Sequence, residues 1–322
     1  MNGRDQRAGR DRLTTAWLIA WRVVRRFPEP VAMWLGTICG LLYWRGDARR
    51  RGALRANLAQ VLGPSATPAE VRRVVRRGFV SYGRYWAEAF RLESLSQEEI
   101  LRRTTIEGRE HIDQALAGGR GAIFATPHVG NWDAGAAWLA ASGYKLTAIV
   151  ERLEPTELFE RFVAYRRALG MEILPLDDGS ESMRSLLRSL RAGRLVALVC
   201  DRDLTGHGLA VRMFGATVTM PGGPAFLALK TGAPLLPCCV YHDRRPGHWV
   251  AVVRPPVSLE PSDSQRTDAI ALTQLLAAEF EQLIGQAPEQ WHVLSRFWRG
   301  ARPRPAATDV EPSASTAGEA SP

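Results

Sequence analysis

Gly121-Ala122-Ile123-Phe124-Ala125-Thr126-Pro127-His128-Val129-Gly130-Asn131-Trp132-Asp133 reads as a buried strand, a turn and the start of a helix. The run from Gly121 to Thr126 is short, apolar and bounded by Gly and Pro, as a strand covered on both faces should be. Asn131 is a good N-cap, and Ala134, Ala136, Ala137, Trp138, Leu139, Ala140 and Ala141 continue as helix formers until Ser142-Gly143 stops them. His128 therefore falls in the connection and Asp133 in the first helical turn. Inside one helix, side chains five apart are rotated by roughly 500° and diverge. A strand-to-helix junction removes that objection and lets Asp133 reach back to one ring nitrogen of His128, leaving the other as a base. Taken alone, the spacing equally suits a histidine that packs the turn and an ordinary first-turn acid.

The chain beyond repeats the same alternation. Strands are expected at 145–150, 172–176 and 195–200, separated by helices at 155–169 and 180–192. A Gly/Pro loop at 220–224 precedes a helix to Thr231. Two last strands, 233–241 and 249–254, form a hairpin, and a helix spans 269–284. This order predicts an α/β fold: a mostly parallel twisted sheet flanked by helices. Ligand sites of such sheets collect at strand carboxyl ends, which brings His128, Glu151 and Asp201 to one edge. Residues 47–116 read as mostly helical, with Val71, Val74, Val75, Phe79, Tyr82, Trp86 and Phe90 on one face and Arg72, Arg73, Arg76 and Arg77 opposite.

The 322 residues carry a formal charge of +9. Met1 to Arg91 holds 18 Arg against 6 Asp and Glu, so the basic excess belongs to the N-terminal part and suits an anionic partner. Lys145 and Lys230 are the sole lysines, so part of the arginine content reflects composition rather than function. Nucleic acid is disfavoured, because no aromatic RNP-like motif is present. Cys39, Cys200, Cys238 and Cys239 lack C-x-x-C spacing and a zinc-finger partner, and are expected reduced. Residues 1–12 and 301–322 are polar or rich in Ala, Pro and Ser and are expected disordered. Between them, 13–46 reads as an N-terminal pair of amphipathic and hydrophobic helices, and 47–300 as the α/β domain. The uncharged run 31–44 is short of the roughly 20 residues a spanning helix needs. Flanked by Trp and Arg, it fits a monotopic, membrane-associating anchor and equally a buried core helix.

The stretch from Ala125 to Asp133 resembles the H-x4-D/E motif of glycerolipid and lipid A acyltransferases, in the HxGNWD form of the lauroyl/myristoyl branch. Within that branch the match is nearest to bacterial phosphatidylinositol mannoside acyltransferases. Glu151-Arg152, Arg161 to Arg166, Cys200 to Thr205, Phe214-Gly215 and Met220 to Pro224 follow in the family's order, and the resemblance covers roughly residues 15–300. It implies transfer of a long-chain acyl group from acyl-CoA, a co-substrate rather than a cofactor, to a mannose hydroxyl of a glycolipid. His128 would act as general base with Asp133, with Asp201 aiding proton transfer. Glu151, Arg152, Arg166, Arg202 and Asp203 would bind substrate, and Arg166, Arg202 or the amides of the 220–224 loop would hold the oxyanion or a phosphate. No metal is implied. The enzyme would sit peripherally on the cytoplasmic face of the cell membrane, against anionic phospholipids. Another glycolipid acceptor, such as a lipid A precursor, fits the same residues. From a different class, Asp201-x-Asp203 at a strand end also matches the metal-holding D-x-D of glycosyltransferases.

Overall fold

The computed structural model describes residues 24–150, 156–175 and 180–298. The tails read as disordered, most of the 13–27 segment, and Glu151 and Arg152 lie outside those residues. Helices α1 (Glu29–Gly46), α2 (Ala48–Leu62), α3 (Pro68–Leu92) and α4 (Gln97–Arg103) precede the sheet. Then come β1 (Thr104–Glu107), α5 (Arg109–Ala117), β2 (Ala122–Thr126), α6 (Trp132–Ala141), β3 (Leu146–Val150), α7 (Thr156–Ala168), β4 (Glu172–Pro175), α8 (Ser180–Arg191) and β5 (Leu195–Val199). A hairpin, β6 (Leu209–Met213) and β7 (Ala216–Met220), leads to α9 (Gly223–Thr231), β8 (Leu235–His242), β9 (Trp249–Val253) and α10 (Gln265–Gln286).

Seven strands form one sheet in the order β1-β9-β8-β2-β5-β3-β4. Strands β8, β2, β5, β3 and β4 are mutually parallel; β9 runs antiparallel to β8, and β1 parallel to β9. The chain leaves β2, builds β3 and β4 further out, then returns to insert β5 directly beside β2. That reversal sets the site, because the loops that leave β2 and β5 now open at neighbouring strand ends. Every residue of β2 is buried. Ile123 and Ala125 pack into a core shared with α8, α9 and α10, while Ala122 and Phe124 face a second core with α5, α6 and α7, the period-2 alternation of a strand covered on both sides.

Helix α1 docks on α3 through small residues. A Cβ at Gly36 or Gly83 would overlap the opposing backbone, so the two helices meet at glycine distance. This contact buries Ala32, Met33, Gly36 and Gly40 and leaves Val31, Trp34 and Leu42 exposed. Among the described residues, no helix is long and apolar enough to cross a membrane. All four cysteines are free.

Candidate active site

The site begins with register. Thr126 of β2 pairs with Val199 of β5, and the Cys200 N–H continues the ladder to the Thr126 carbonyl at 3.0 Å, so the next step brings position 201 opposite position 128. His128 Nδ1 and Asp201 Oδ1 lie 2.5 Å apart. Asp201 Oδ2 accepts the His128 backbone N–H at 3.1 Å and the Trp291 Nε1–H at 2.8 Å. Three donors thus converge on a carboxylate that is wholly buried. Burial pushes the Asp201 carboxyl up, yet the His128 ring and these hydrogen bonds hold it below its usual range, so it stays ionised. An ionised acceptor on Nδ1 fixes the tautomer with the proton on Nδ1 and the Nε2 lone pair free. Nε2 has no hydrogen-bond partner among the described residues, and the side chain is about a fifth exposed, at 21%. Trp132 meets the ring edge-on at 5.4 Å.

The loop is held from behind. Gly130 has φ +60°, and a Cβ there would overlap the Val240 carbonyl, so both the backbone conformation and the close approach demand glycine. Its N–H donates to the Gln290 carbonyl at 2.9 Å, and the His128 carbonyl accepts from the His292 N–H at 2.8 Å. Asn131 caps α6, accepting the Ala134 N–H at 3.1 Å, and donates Nδ2–H to Glu88 Oε2 at 3.0 Å. Glu88 also accepts from Arg84 Nε at 2.6 Å and Trp249 Nε1 at 2.6 Å, and meets His242 Nδ1 at 3.0 Å. Burial pushes the Glu88 carboxyl up, but His242, Arg84 and Asn131 together hold it down to about 2.

Asp133 does not reach back to the imidazole. Its Oδ1 accepts Arg166 Nε–H at 2.7 Å, and its Oδ2 accepts Arg166 Nη2–H at 3.3 Å and the Tyr85 hydroxyl at 2.9 Å. From the first turn of α6 its side chain points toward α3 and α7, while the end of β5 supplies the carboxylate that the ring takes. The expected contact between His128 and Asp133 is therefore replaced by one between His128 and Asp201. Burial works against the Arg166 charge, but Asp133 raises the guanidinium pKa above its ordinary value; burial and Asp133 also keep the Tyr85 hydroxyl protonated. Beside this ion pair lies a cavity of about 110 Å³ between the sheet and α6. Phe124, Trp138, Leu139, Val199 and Val252 line it together with Thr126, Trp132, Asp133 and Arg166. Trp132 both borders this space and meets the His128 ring, which links the cavity to the histidine.

Comparison with known proteins decides what this arrangement belongs to. Residues 4–300 match the family described as bacterial lipid A biosynthesis acyltransferase. The chain belongs to that family. It is 40% identical over 304 residues to a phosphatidylinositol mannoside acyltransferase of Mycobacterium tuberculosis, covering 92% of each chain. It is 38% identical to that of Mycolicibacterium smegmatis, over 86% of this chain and 88% of the relative. The lipid A biosynthesis lauroyltransferase of Escherichia coli is more distant, 26% identical over 88% of this chain and 90% of the relative. The protein is accordingly an acyltransferase.

The other candidate residues of this acyltransferase are placed unevenly. Asp203 folds its own loop, accepting N–H groups from Thr205, Gly206 and Gly208 at 3.1, 2.8 and 2.9 Å. Asp201 and Asp203 are thus engaged with separate partners, and among the described residues no group of three or more metal-binding side chains occurs. Arg202 lies near the Tyr82 hydroxyl, lowering its pKa against the stronger upward push of burial. The helix after the 220–224 loop starts against Leu209 and Met183. Trp291, an aromatic expected to close the core, is fully buried there and also reaches Asp201, whereas no local pattern marks His242, His292, Tyr85 or Glu88. Trp291 lies 90 positions from Asp201, and no local pattern links them.

Proposed function

We propose that this acyltransferase moves a long-chain acyl group from acyl-CoA to a mannose hydroxyl of a phosphatidylinositol mannoside, by general-base catalysis and without a covalent acyl-enzyme. The observation that carries the mechanism is the His128 ring, tied through Nδ1 to a buried, ionised Asp201, with no partner for Nε2 among the described residues and with Trp132, which meets the ring, bordering an apolar cavity. The mannose hydroxyl gives its proton to Nε2 as its oxygen bonds to the thioester carbonyl carbon. Asp201 stabilises the imidazolium that forms. The tetrahedral oxyanion takes hydrogen bonds from the Arg166 N–H groups that Asp133 leaves unused. Collapse breaks the C–S bond, and the departing thiolate takes the proton back from Nε2. The carbonyl end of the acyl group faces the apolar cavity between the sheet and α6. The mannoside acceptor rests on the names of the mycobacterial relatives.

The exposed Val31, Trp34 and Leu42 recur at helical spacing on α1, and we assign this stripe to the cytoplasmic face of the membrane, with the arginines that precede α3 on anionic headgroups. Trp34→Glu/Leu42→Glu should lower sedimentation with phosphatidylinositol vesicles; unchanged sedimentation removes the stripe from the interface.

The catalytic reading is tested with radiolabelled acyl-CoA and a panel of purified glycolipids. His128→Ala should cut transfer by about 10² to 10⁴, the usual contribution of a positioned base, with the circular dichroism spectrum unchanged. Wild-type turnover in that variant overturns the mechanism. Transfer to a lipid A precursor in preference to the mannosides overturns the acceptor.

A further inference from the structure

A second cavity, of about 820 Å³, opens between the first half of α3, the β8–β9 turn and the segment 288–290. Six arginines line it, Arg72, Arg73, Arg76, Arg77, Arg84 and Arg244, against two carboxylates, Asp243 and Glu289. Its back wall is built rather than loose. The half-buried Arg84 binds the buried Glu88 at 2.6 Å and donates to the Asp243 and Arg245 carbonyls at 2.7 and 3.0 Å, pinning the turn to α3. Asp243 is taken up by Arg245, at 3.2 Å. Arg73 has a weak contact with Glu70 at 4.0 Å, and Arg72, Arg76, Arg77 and Arg244 have no ion pair among the described residues.

Like charges four residues apart on a helix repel, and α3 carries two such pairs, Arg72 with Arg76 and Arg73 with Arg77. An anion in the cavity relieves both. Against the four guanidiniums without an ion pair stands the single carboxylate Glu289, so the positive charge exceeds what one phosphodiester neutralises, and the volume is that of a small-molecule site. Trp44 also lines the wall. His242, also in the lining, ends β8 at the same sheet edge as His128, and Gln290 holds the loop after His128 through the Gly130 N–H. The cavity thus adjoins the catalytic edge and shares with it Arg84, His242 and Gln290, which brace the loop, but not His128 or Asp201.

We propose that this arginine cavity binds the phosphate groups of a nucleotide, those at the far end of the thioester donor, an inference that rests on the acyl-CoA reading above. The test is calorimetric titration of the full chain with CoA, for wild type, Arg76→Gln/Arg77→Gln and Arg76→Lys/Arg77→Lys. Both positions are exposed, so the fold should survive. The Gln pair should weaken CoA binding by about tenfold or more and flatten its salt dependence, and the Lys pair should recover part of the affinity, since charge-assisted phosphate contacts behave so. Equal CoA affinity in wild type and the Gln pair overturns the proposal. So does a loss confined to phosphatidylinositol vesicles, which would make the arginines a lipid contact. Equal affinity with transfer still lost in His128→Ala removes the cavity and leaves the base; no CoA binding by wild type removes the donor assignment as well.

Discussion

Two carboxylates border the loop between β2 and α6, and they are used differently. Asp201 meets a titratable ring and two neutral N–H donors, an arrangement that orients a proton acceptor. Asp133 meets a guanidinium and a phenol, groups that stay protonated through the physiological range, an arrangement that fixes a cation in place. The motif spacing makes Asp133 the sequence-adjacent partner of His128, yet the fold gives that position to a residue 73 positions away. Strand order matters more than sequence proximity here, because β5 returns to lie against β2.

Asp201→Asn should produce the largest effect. It preserves shape but weakens acceptance of Nδ1–H and favours the wrong tautomer, so kcat should fall about 10³- to 10⁴-fold with KM little changed. Steady-state transfer kinetics measure this, and a KM effect alone would return Asp201 to a structural part. Asp133→Asn should act first on stability. It strands a largely buried Arg166, a change that costs about 3–5 kcal/mol when the pair is fully broken, and Arg166→Gln in the same chain should restore part of it. Urea unfolding of the single and double variants decides, and additive losses would deny the coupling.

Glu88 sharpens the contrast, since it holds the loop without facing substrate. Its carboxyl is held at about 2 in the folded chain against an ordinary 4.5, so its stabilisation is fully present above pH 4.5 and is lost as pH falls toward 2. Glu88→Gln should lower stability at neutral pH and flatten the decline over that acid range. A parallel decline in the variant would assign the acid sensitivity to other carboxylates. The smallest effect belongs to Tyr85→Phe, which removes one hydrogen bond to Asp133 while leaving Arg166 in place. About 1–2 kcal/mol of stability should go, with kcat nearly kept; a kcat loss matching that of Asp201→Asn would place Tyr85 among the reacting groups.

Much of this was legible in the chain. Strand β2, the Asn131 cap, the end of α6 and, apart from the β6–β7 hairpin, the succession of strands and helices to α10 follow from apolar periodicity and from Gly, Pro and Asn at their ends. The gathering of His128 and Asp201 at one edge follows from parallel topology. Side-chain direction does not. Whether Asp133 turns toward the loop or toward α7 depends on Arg166 and Tyr85, whose positions follow from packing across the second core. Trp291 and Glu88 are also invisible locally, because each meets its partner through strand order or helix docking. The Asx-type loop at Asp203 shows the converse. Its local hydrogen bonds to Thr205 and Gly206 are the kind a short D-x-T-G stretch favours, and a D-x-D reading hides them.

General-base catalysis turns on which ring nitrogen of His128 carries the proton, and ¹⁵N–¹H correlation spectra of histidine-labelled protein read this directly. The prediction is Nδ1 protonated and Nε2 bare in the neutral ring of wild type, with that preference lost in Asp201→Asn and kept in Asp133→Asn. A neutral ring protonated on Nε2, or a preference that follows Asp133 and ignores Asp201, would contradict it.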